Sequence, residues 1–227
     1  MTPHAALDAI AAHADWARAV QMAAYHKVAR RYLGVPVPVV DALAKDWRAG
    51  LTVAERAALA QGLWETDVHE ARVAAARLLT QARIRDDAAV WDTIAAWVPS
   101  FDAWALADHA AGAGARRLVA NPARLDAVEG WVGAPHLWTR RAALVMTLPW
   151  TKQNHPTAED IAIRDRVLGW CGLLAGDRDW FIQKAVAWWL RDLSRHDPAR
   201  SRAWLATHGN RLKPFARHEA ARHLGAG

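Results

Sequence analysis

Sulfur and small aromatics are scarce in this chain of 227 residues: one cysteine, three methionines, three phenylalanines and two tyrosines. The single Cys171 excludes an intrachain disulfide and a cysteine-rich zinc site, and its simplest role is that of a small buried apolar side chain. No run approaches the roughly 18 to 20 uninterrupted apolar residues of a membrane span, so no membrane partner is expected. The N-terminus lacks a basic segment followed by an apolar run and a cleavage site, which makes a reducing, cytoplasmic location the expectation. Alternating β-branched runs are almost absent, and with them the signal for strands. There is no Gly-rich phosphate loop and no Gly-x-Ser-x-Gly, which argues against nucleotide hydrolysis and serine-hydrolase chemistry. Eleven histidines are present, but none forms a His-x-x-x-His pair and His218 and His223 lie on different helix faces, so neither a metal nor a cofactor is expected.

What the chain does have is tryptophan, fourteen in all, set among Ala-, Leu- and Arg-rich segments of helical length. The pattern Asp-x-[Ile/Val]-x-x-Trp occurs at Asp92 to Trp97, at Asp126 to Trp131 and at Asp165 to Trp170. Steps of this size, between about 30 and 45 residues, mark helix pairs that bury their apolar faces by stacking on their neighbours. Breaks at 98–100, 133–135 and 175–177 separate the first helix of each pair from the second. An earlier pair is expected at 52–66 and 68–83, a further helix from Val39 to Ala49, and one or two capping helices up to about residue 33. A loop at 150–158 is expected to interrupt the third pair. The fold class is therefore all-α, an α-solenoid of HEAT-like helix pairs forming a single domain over 1–227. Its second helices, carrying Trp104, Asp108, Trp138, Arg141, Trp188 and Arg191, are expected to line one concave basic face.

Net charge is +6, and its placement is informative. Beyond residue 180, Lys184, Arg191, Arg195, Arg200, Arg202, Arg211, Lys213, Arg217 and Arg222 face only Asp192, Asp197 and Glu219; the rest of the chain is balanced. A polyanionic partner docked on the C-terminal part explains this asymmetry through direct contacts and counterion release. The segment Phe181 to Arg191 concentrates it. At 3.6 residues per turn Ile182, Val186, Trp189 and Leu193 form an apolar stripe, while Lys184, Trp188, Arg191 and Arg195 occupy the opposite face. Cations beside an aromatic ring suit a phosphate backbone and its sugar or base, although a solvated basic face with one stray Trp has the same spacing.

Trp104 and Asp108 stand at i and i+4, on the flank of a helix whose core side is Ala103, Leu106, Ala107 and Ala110. A surface aspartate beside an interfacial Trp has this spacing too. Asp102, near the helix start, is explained by the helix dipole. Trp138 is followed by Arg140 and Arg141, between which spacing does not choose.

These patches resemble the AlkD-type DNA glycosylases, HEAT-like repeat enzymes of DNA alkylation repair. Trp104-Ala105-Leu106-Ala107-Asp108, Trp138-Thr139-Arg140-Arg141-Ala142-Ala143 and Phe181 to Arg191 carry the resemblance most specifically. Tyr32-Leu33-Gly34-Val35, Leu63-Trp64-Glu65 and Arg211 to Ala220 add to it. The resemblance implies a monomeric, cofactor-free enzyme acting on duplex DNA that contains alkylated bases. It implies Asp108 as the catalytic carboxylate, Trp104 and Trp188 as aromatic walls, and Arg141 as the phosphate-binding arginine. Trp138, Arg140, Lys184, Arg191, Arg195, Arg211, Lys213 and Arg217 are then the expected DNA-contacting set. Two departures stand out: Ala105 where the family often has an acidic residue, and a 150–158 loop longer than usual. A non-catalytic HEAT-like module binding damaged or branched DNA is the competing reading.

Overall fold

The computed structural model describes residues 1–225. Among them are thirteen α-helices and no strand, the one β-type contact being an isolated bridge between Arg31 and Val68. The all-α helical repeat fold follows the sequence pattern closely. Capping helices α1 (Pro3–Ala11) and α2 (Trp16–His26) precede α3 (Val37–Ala49), which starts two residues earlier than expected because Pro36 takes the extended N-cap position and Pro38 suits the first turn. Then come α4 (Val53–Glu65), α5 (His69–Leu79), α6 (Ala88–Trp97) and α7 (Trp104–Ala120). The remainder comprises α8 (Leu125–Val132), α9 (Leu137–Val145), α10 (Ala158–Leu174), α11 (Trp180–Ser194), α12 (Pro198–His208) and α13 (Pro214–Ala220).

The chain divides into two compact units, residues 1–120 and residues from 121 onward. In the first, α5 is the central helix: it packs on α3, α4 and α7, and its alanines are buried all round. In the second that place belongs to α11, packed on α9, α12 and α13. Its apolar stripe is fully buried at Ile182, Val186, Trp189 and Leu193, whereas Lys184 and Arg195 are exposed and Trp188 and Arg191 half-buried. Both faces of this helix are as its spacing predicts.

Local chemistry sets the helix starts. Thr52 with Glu55, and Thr157 with Asp160, form reciprocal capping boxes at α4 and α10. Asp15, Asp179 and Asp197 cap α2, α11 and α12. In the repeated pattern the β-branched position is core in every copy, at Ile94, Val128 and Val167, while Asp92, Asp126 and Asp165 stay at the surface. Two of these aspartates pair with the next first helix, Asp126 with Arg166 at 2.8 Å and Asp165 with Arg200 at 2.6 Å.

Tryptophan supplies a second link of the same kind. Trp97 of α6 donates its indole N–H to Gln61 Oε1 of α4 at 2.8 Å and stacks on Trp64 at 4.3 Å. Trp170 of α10 donates to Glu129 Oε1 of α8 at 2.8 Å, and Trp204 of α12 to the Leu168 carbonyl of α10 at 2.9 Å. A buried indole N–H needs an acceptor, and here the preceding repeat provides it.

The 150–158 segment differs from expectation in place and character. It precedes the first helix of the third pair rather than interrupting the pair, and its first part is a 3₁₀ turn, Leu148–Lys152. Arg164 is buried and donates to the carbonyls of Trp150 at 2.8 Å and Gln153 at 2.7 Å, while Gln153 donates to Asp160 at 2.8 Å. The segment is thus pinned to α10. Cys171 is fully buried, and burial pushes its thiol pKa far up, so it is an inert core side chain.

Candidate nucleic-acid interface

In the first unit the site is built at the N-terminal end of α7. Ala103, Leu106, Ala107 and Ala110 turn into the core, which leaves Trp104 and Asp108, one turn apart, on the half-buried flank. Both line an open cavity of about 440 Å³ together with Met22, His26, Val37, His69, Arg77, Thr80 and His109. Trp104 meets two aromatics of α2, with Tyr25 edge-on at 5.9 Å and His26 tilted at 5.7 Å. His26 in turn stacks on His69 at 4.6 Å and on Tyr32 at 5.8 Å. Tyr25 is 68 % exposed, so the outer edge of this aromatic wall faces solvent.

Burial is the leading influence on the imidazoles here. It depresses His69 to about 3 and His109 to about 4, with nearby cations, Arg30 beside His69 and Arg77 beside His109, adding to the effect. His26 is lowered as well, again mainly by burial. Around neutral pH all three are uncharged, so the surroundings of Asp108 are aromatic and polar without imidazolium charge.

Beneath the cavity α2 is fixed by a buried carboxylate. Glu70 accepts backbone N–H bonds from Leu33, Gly34 and Val35 at 3.0, 2.7 and 3.2 Å. Gly34 lies at φ +78, and a Cβ there would stand 2.0 Å from the Asp15 carbonyl oxygen, so only glycine lets this loop press against the start of α2. Asp102 has a different role from the one its position suggests. It pairs with Arg30 and approaches Arg72 at 3.9 Å, and Arg30 and Arg72 also bond Asp67 at 3.0 and 3.2 Å. A helix-dipole role does not account for these pairings, because both arginines come from earlier segments.

In the second unit α9 and α11 carry the remaining residues. Trp138 is buried against Phe181, ring centroids 4.8 Å apart. Arg140 pairs with Asp177 at 3.1 Å and donates to the carbonyls of Ala134 and Pro135. Arg141 is only 4 % exposed and donates to the Phe181 carbonyl at 3.0 Å, tying α9 to α11. Trp188 donates its indole N–H to Asp192 at 3.0 Å, which fixes the ring on the half-exposed face. Arg191 bonds Asp192 at 3.0 Å and Glu219 at 2.5 Å. Arg211 donates to the Gly172 carbonyl at 2.8 Å and Lys213 to the Arg178 carbonyl at 2.5 Å, while Arg195 and Arg217 stay exposed. The cations of the second unit are therefore of two kinds. Lys184, Arg195 and Arg217 extend to solvent; Arg140, Arg141 and Arg191 also hold helices together.

Spacing did not reveal Tyr25, His26, His69 and His109, because three of them come from α2 and α5, far in sequence from Trp104. Only His109, next to Asp108, had a positional clue. Among the described residues no group of three His, Cys, Asp or Glu side chains is arranged to hold a metal ion, and no helix is long and apolar enough to cross a membrane.

The fold is shared with solved structures. One described as a predicted DNA alkylation repair enzyme from Enterococcus faecalis superposes with a TM-score of 0.80 at 21 % identity, covering 95 % of this chain and 98 % of that one. AlkD2 from Streptococcus mutans gives 0.62 at 19 % identity over 83 % and 88 %, and smu.31 from Streptococcus mutans UA159 gives 0.61 at 19 % over 82 % and 90 %. A search of curated protein sequences finds no match. The DNA alkylation repair enzyme family matches residues 6–224, which is nearly the whole helical array, and the chain belongs to that family.

Proposed function

We propose that the protein is a monofunctional DNA glycosylase that excises positively charged alkylated purines, such as 3-methyladenine and 7-methylguanine, from duplex DNA. Alkylation at N3 of adenine or N7 of guanine places a positive charge on the base, so it leaves without help from an enzymatic acid. The difficulty lies in the sugar, which gains oxocarbenium character as the N-glycosidic bond breaks. A carboxylate close to C1′ stabilises that charge and orients the attacking water.

The observation that carries this reading is the pairing of Asp108 with Trp104 on an open cavity whose imidazoles are uncharged. A cationic neighbour would oppose the developing positive charge; these histidines do not, and Arg77, which also lines the cavity, is paired with Asp41 at 2.8 Å. Trp104 lies against the deoxyribose, adding cation–π attraction as charge builds on the ring, and the resemblance gives Trp188 the matching role on α11. Arg141 is assigned to phosphate on the same ground, with Lys184, Arg195 and Arg217 supplying exposed charge for the backbone. The base departs with the bonding electron pair and becomes neutral, water adds to C1′, and its proton passes to Asp108 or solvent. No lysine nucleophile enters, so the products are free base and an abasic site in an intact strand, and the base needs no capture in a pocket.

Asp108→Asn tests this directly, since it keeps shape and removes charge. A carboxylate and a sugar cation about 4 Å apart attract by roughly 4 kcal/mol at an effective dielectric of about 20, an upper figure when part of the charge stays on the base. Single-turnover excision of 7-methylguanine is expected to fall by about tenfold or more, with duplex affinity and melting temperature unchanged. Equal rates for the variant and the parent protein remove Asp108 from the mechanism. No excision by the parent protein leaves a DNA-binding module in place of a glycosylase.

A further inference from the structure

The first turns of α11 and α13 together carry an aromatic surface that contact with a duplex backbone does not require. Trp180 is 46 % exposed and Phe215 38 % exposed, yet the two rings stack on each other with centroids 5.9 Å apart and planes 29° from parallel. Trp180 also meets Phe181 edge-on at 5.0 Å, and Phe181 leans on buried Trp138. The exposed rings are thus the outer end of an aromatic column rooted in the core. Their backbone is fixed too. Gln183, fully buried, donates to the carbonyls of Ala175 and Asp177 and accepts from the backbone N–H of Lys213 at 2.9 Å, which ties the segment before Phe215 to α11.

Cations stand close to these rings. Lys184 Nζ stands 4.6 Å from the Trp180 ring centre, and Lys213 reaches the Arg178 carbonyl beside it. The two neighbouring carboxylates are used internally. Asp179 accepts from the Phe181 backbone N–H at 2.8 Å, and Asp177 pairs with Arg140. A rigid, solvent-facing pair of rings with the Lys184 ammonium over the Trp180 ring and Lys213 close by fits a flat π-system that carries a negative charge a short distance away, once Lys184 moves off the ring. A nucleotide with an unpaired base has that form: the base stacks and the phosphate meets the lysine. Within a duplex the bases cover one another's faces, so the rings have no partner there.

We propose that Trp180 and Phe215 form a stacking platform for an unpaired nucleobase, with Lys184 turning from the Trp180 ring to the phosphate of that nucleotide. The site lies wholly within the second unit. It is independent of excision, because neither the base nor the strand has to be alkylated.

The test compares two labelled single strands of the same length and charge, an oligothymidylate of about twelve nucleotides and a fully abasic analogue, bound to the full chain at fixed salt and followed by fluorescence anisotropy. Stacking by one or two bases predicts that the thymidylate binds about tenfold more tightly. Trp180→Ala combined with Phe215→Ala removes that preference and leaves the affinity for the abasic strand unchanged. Trp180→Leu, which keeps apolar volume without a ring, also reduces the preference, and an unaltered melting curve shows that the fold is intact. Equal binding of the two strands by the parent protein overturns the proposal, as does a preference that survives in the double variant. Concentration-dependent self-association that Trp180→Ala abolishes also overturns it, assigning the rings to a second copy of the chain. None of the strands contains an alkylated base, so these results stand whether or not excision is observed.

Discussion

Glu70 gives the most direct link between a buried bond network and the placement of the site. Its carboxylate is 1 % exposed and accepts three consecutive backbone N–H groups from Leu33, Gly34 and Val35. Leu33 in turn accepts from Asp15 N–H at 2.9 Å, and Asp15 caps α2, the helix that brings Tyr25 and His26 to Trp104. Replacing Glu70 by Gln keeps the volume, removes the charge and turns an NH₂ group toward a set of donors. A hydrogen bond to a charged group contributes about 1.5–3 kcal/mol, and the Gln carbonyl retains part of the set, so the loss is on the order of 3 kcal/mol. For a chain of this size each kcal/mol moves Tm by about 2–4 °C, giving an expected drop of roughly 6–12 °C. A thermal melt measures it, and amide hydrogen exchange at residues 33–35 locates it, since protection there should fall first. A variant that melts within about 2 °C of the parent protein, with those amides still protected, would refute the reasoning.

The other expectations are shorter. His69 and His109 are held neutral in the fold, so the unfolded chain binds more protons from about pH 6.5 down to about 4 for His109 and about 3 for His69; stability is full above pH 6.5 and falls as the pH drops through these windows, by up to about 1.4 kcal/mol per pH unit for each imidazole. Denaturant melts at a series of pH values check this, and His69→Phe should flatten the dependence. Gly34→Ala should destabilise by more than about 1 kcal/mol, because a left-handed backbone and a collision with backbone atoms coincide there; an unchanged melt would contradict the assigned geometry. Lys184→Ala with Arg195→Ala, both at exposed positions, should flatten the log–log salt dependence of duplex affinity by up to about two units, one for each phosphate no longer neutralised. Arg191 is unsuitable for that test because it also bonds Glu219.

Much of the architecture is legible in the chain because helix periodicity and the Asp-x-[Ile/Val]-x-x-Trp spacing are local signals. Ile94, Val128 and Val167 fall in the core as the pattern requires, and the two faces of α11 separate as written. What the chain conceals depends on side chains meeting backbone from distant segments. Arg164 pins the 150–158 segment through two carbonyls, Arg141 is turned to the Phe181 carbonyl, and Asp102 joins arginines that precede it by many residues. No periodicity records such bonds. The same holds for Tyr25 and His26, which reach Trp104 only because Glu70 and Gly34 set the approach of α2.

The backward-pointing indoles give the array a polarity. Trp97 depends on Gln61, Trp170 on Glu129 and Trp204 on Leu168, each acceptor lying earlier in the chain. During synthesis every such tryptophan emerges after its acceptor has been made, so the growing chain offers a prepared seat for each new repeat. Shortening from the C-terminus removes these donors with their repeats and leaves the upstream indoles satisfied until Ser100 is reached, since Trp64 donates forward to its Oγ at 3.1 Å. Excising a repeat upstream strands the indole of the next one, with its N–H buried and unanswered. Along these three links tolerance to truncation should therefore run from the end of the chain toward its beginning, and the forward bond of Trp64 sets its limit at Ser100.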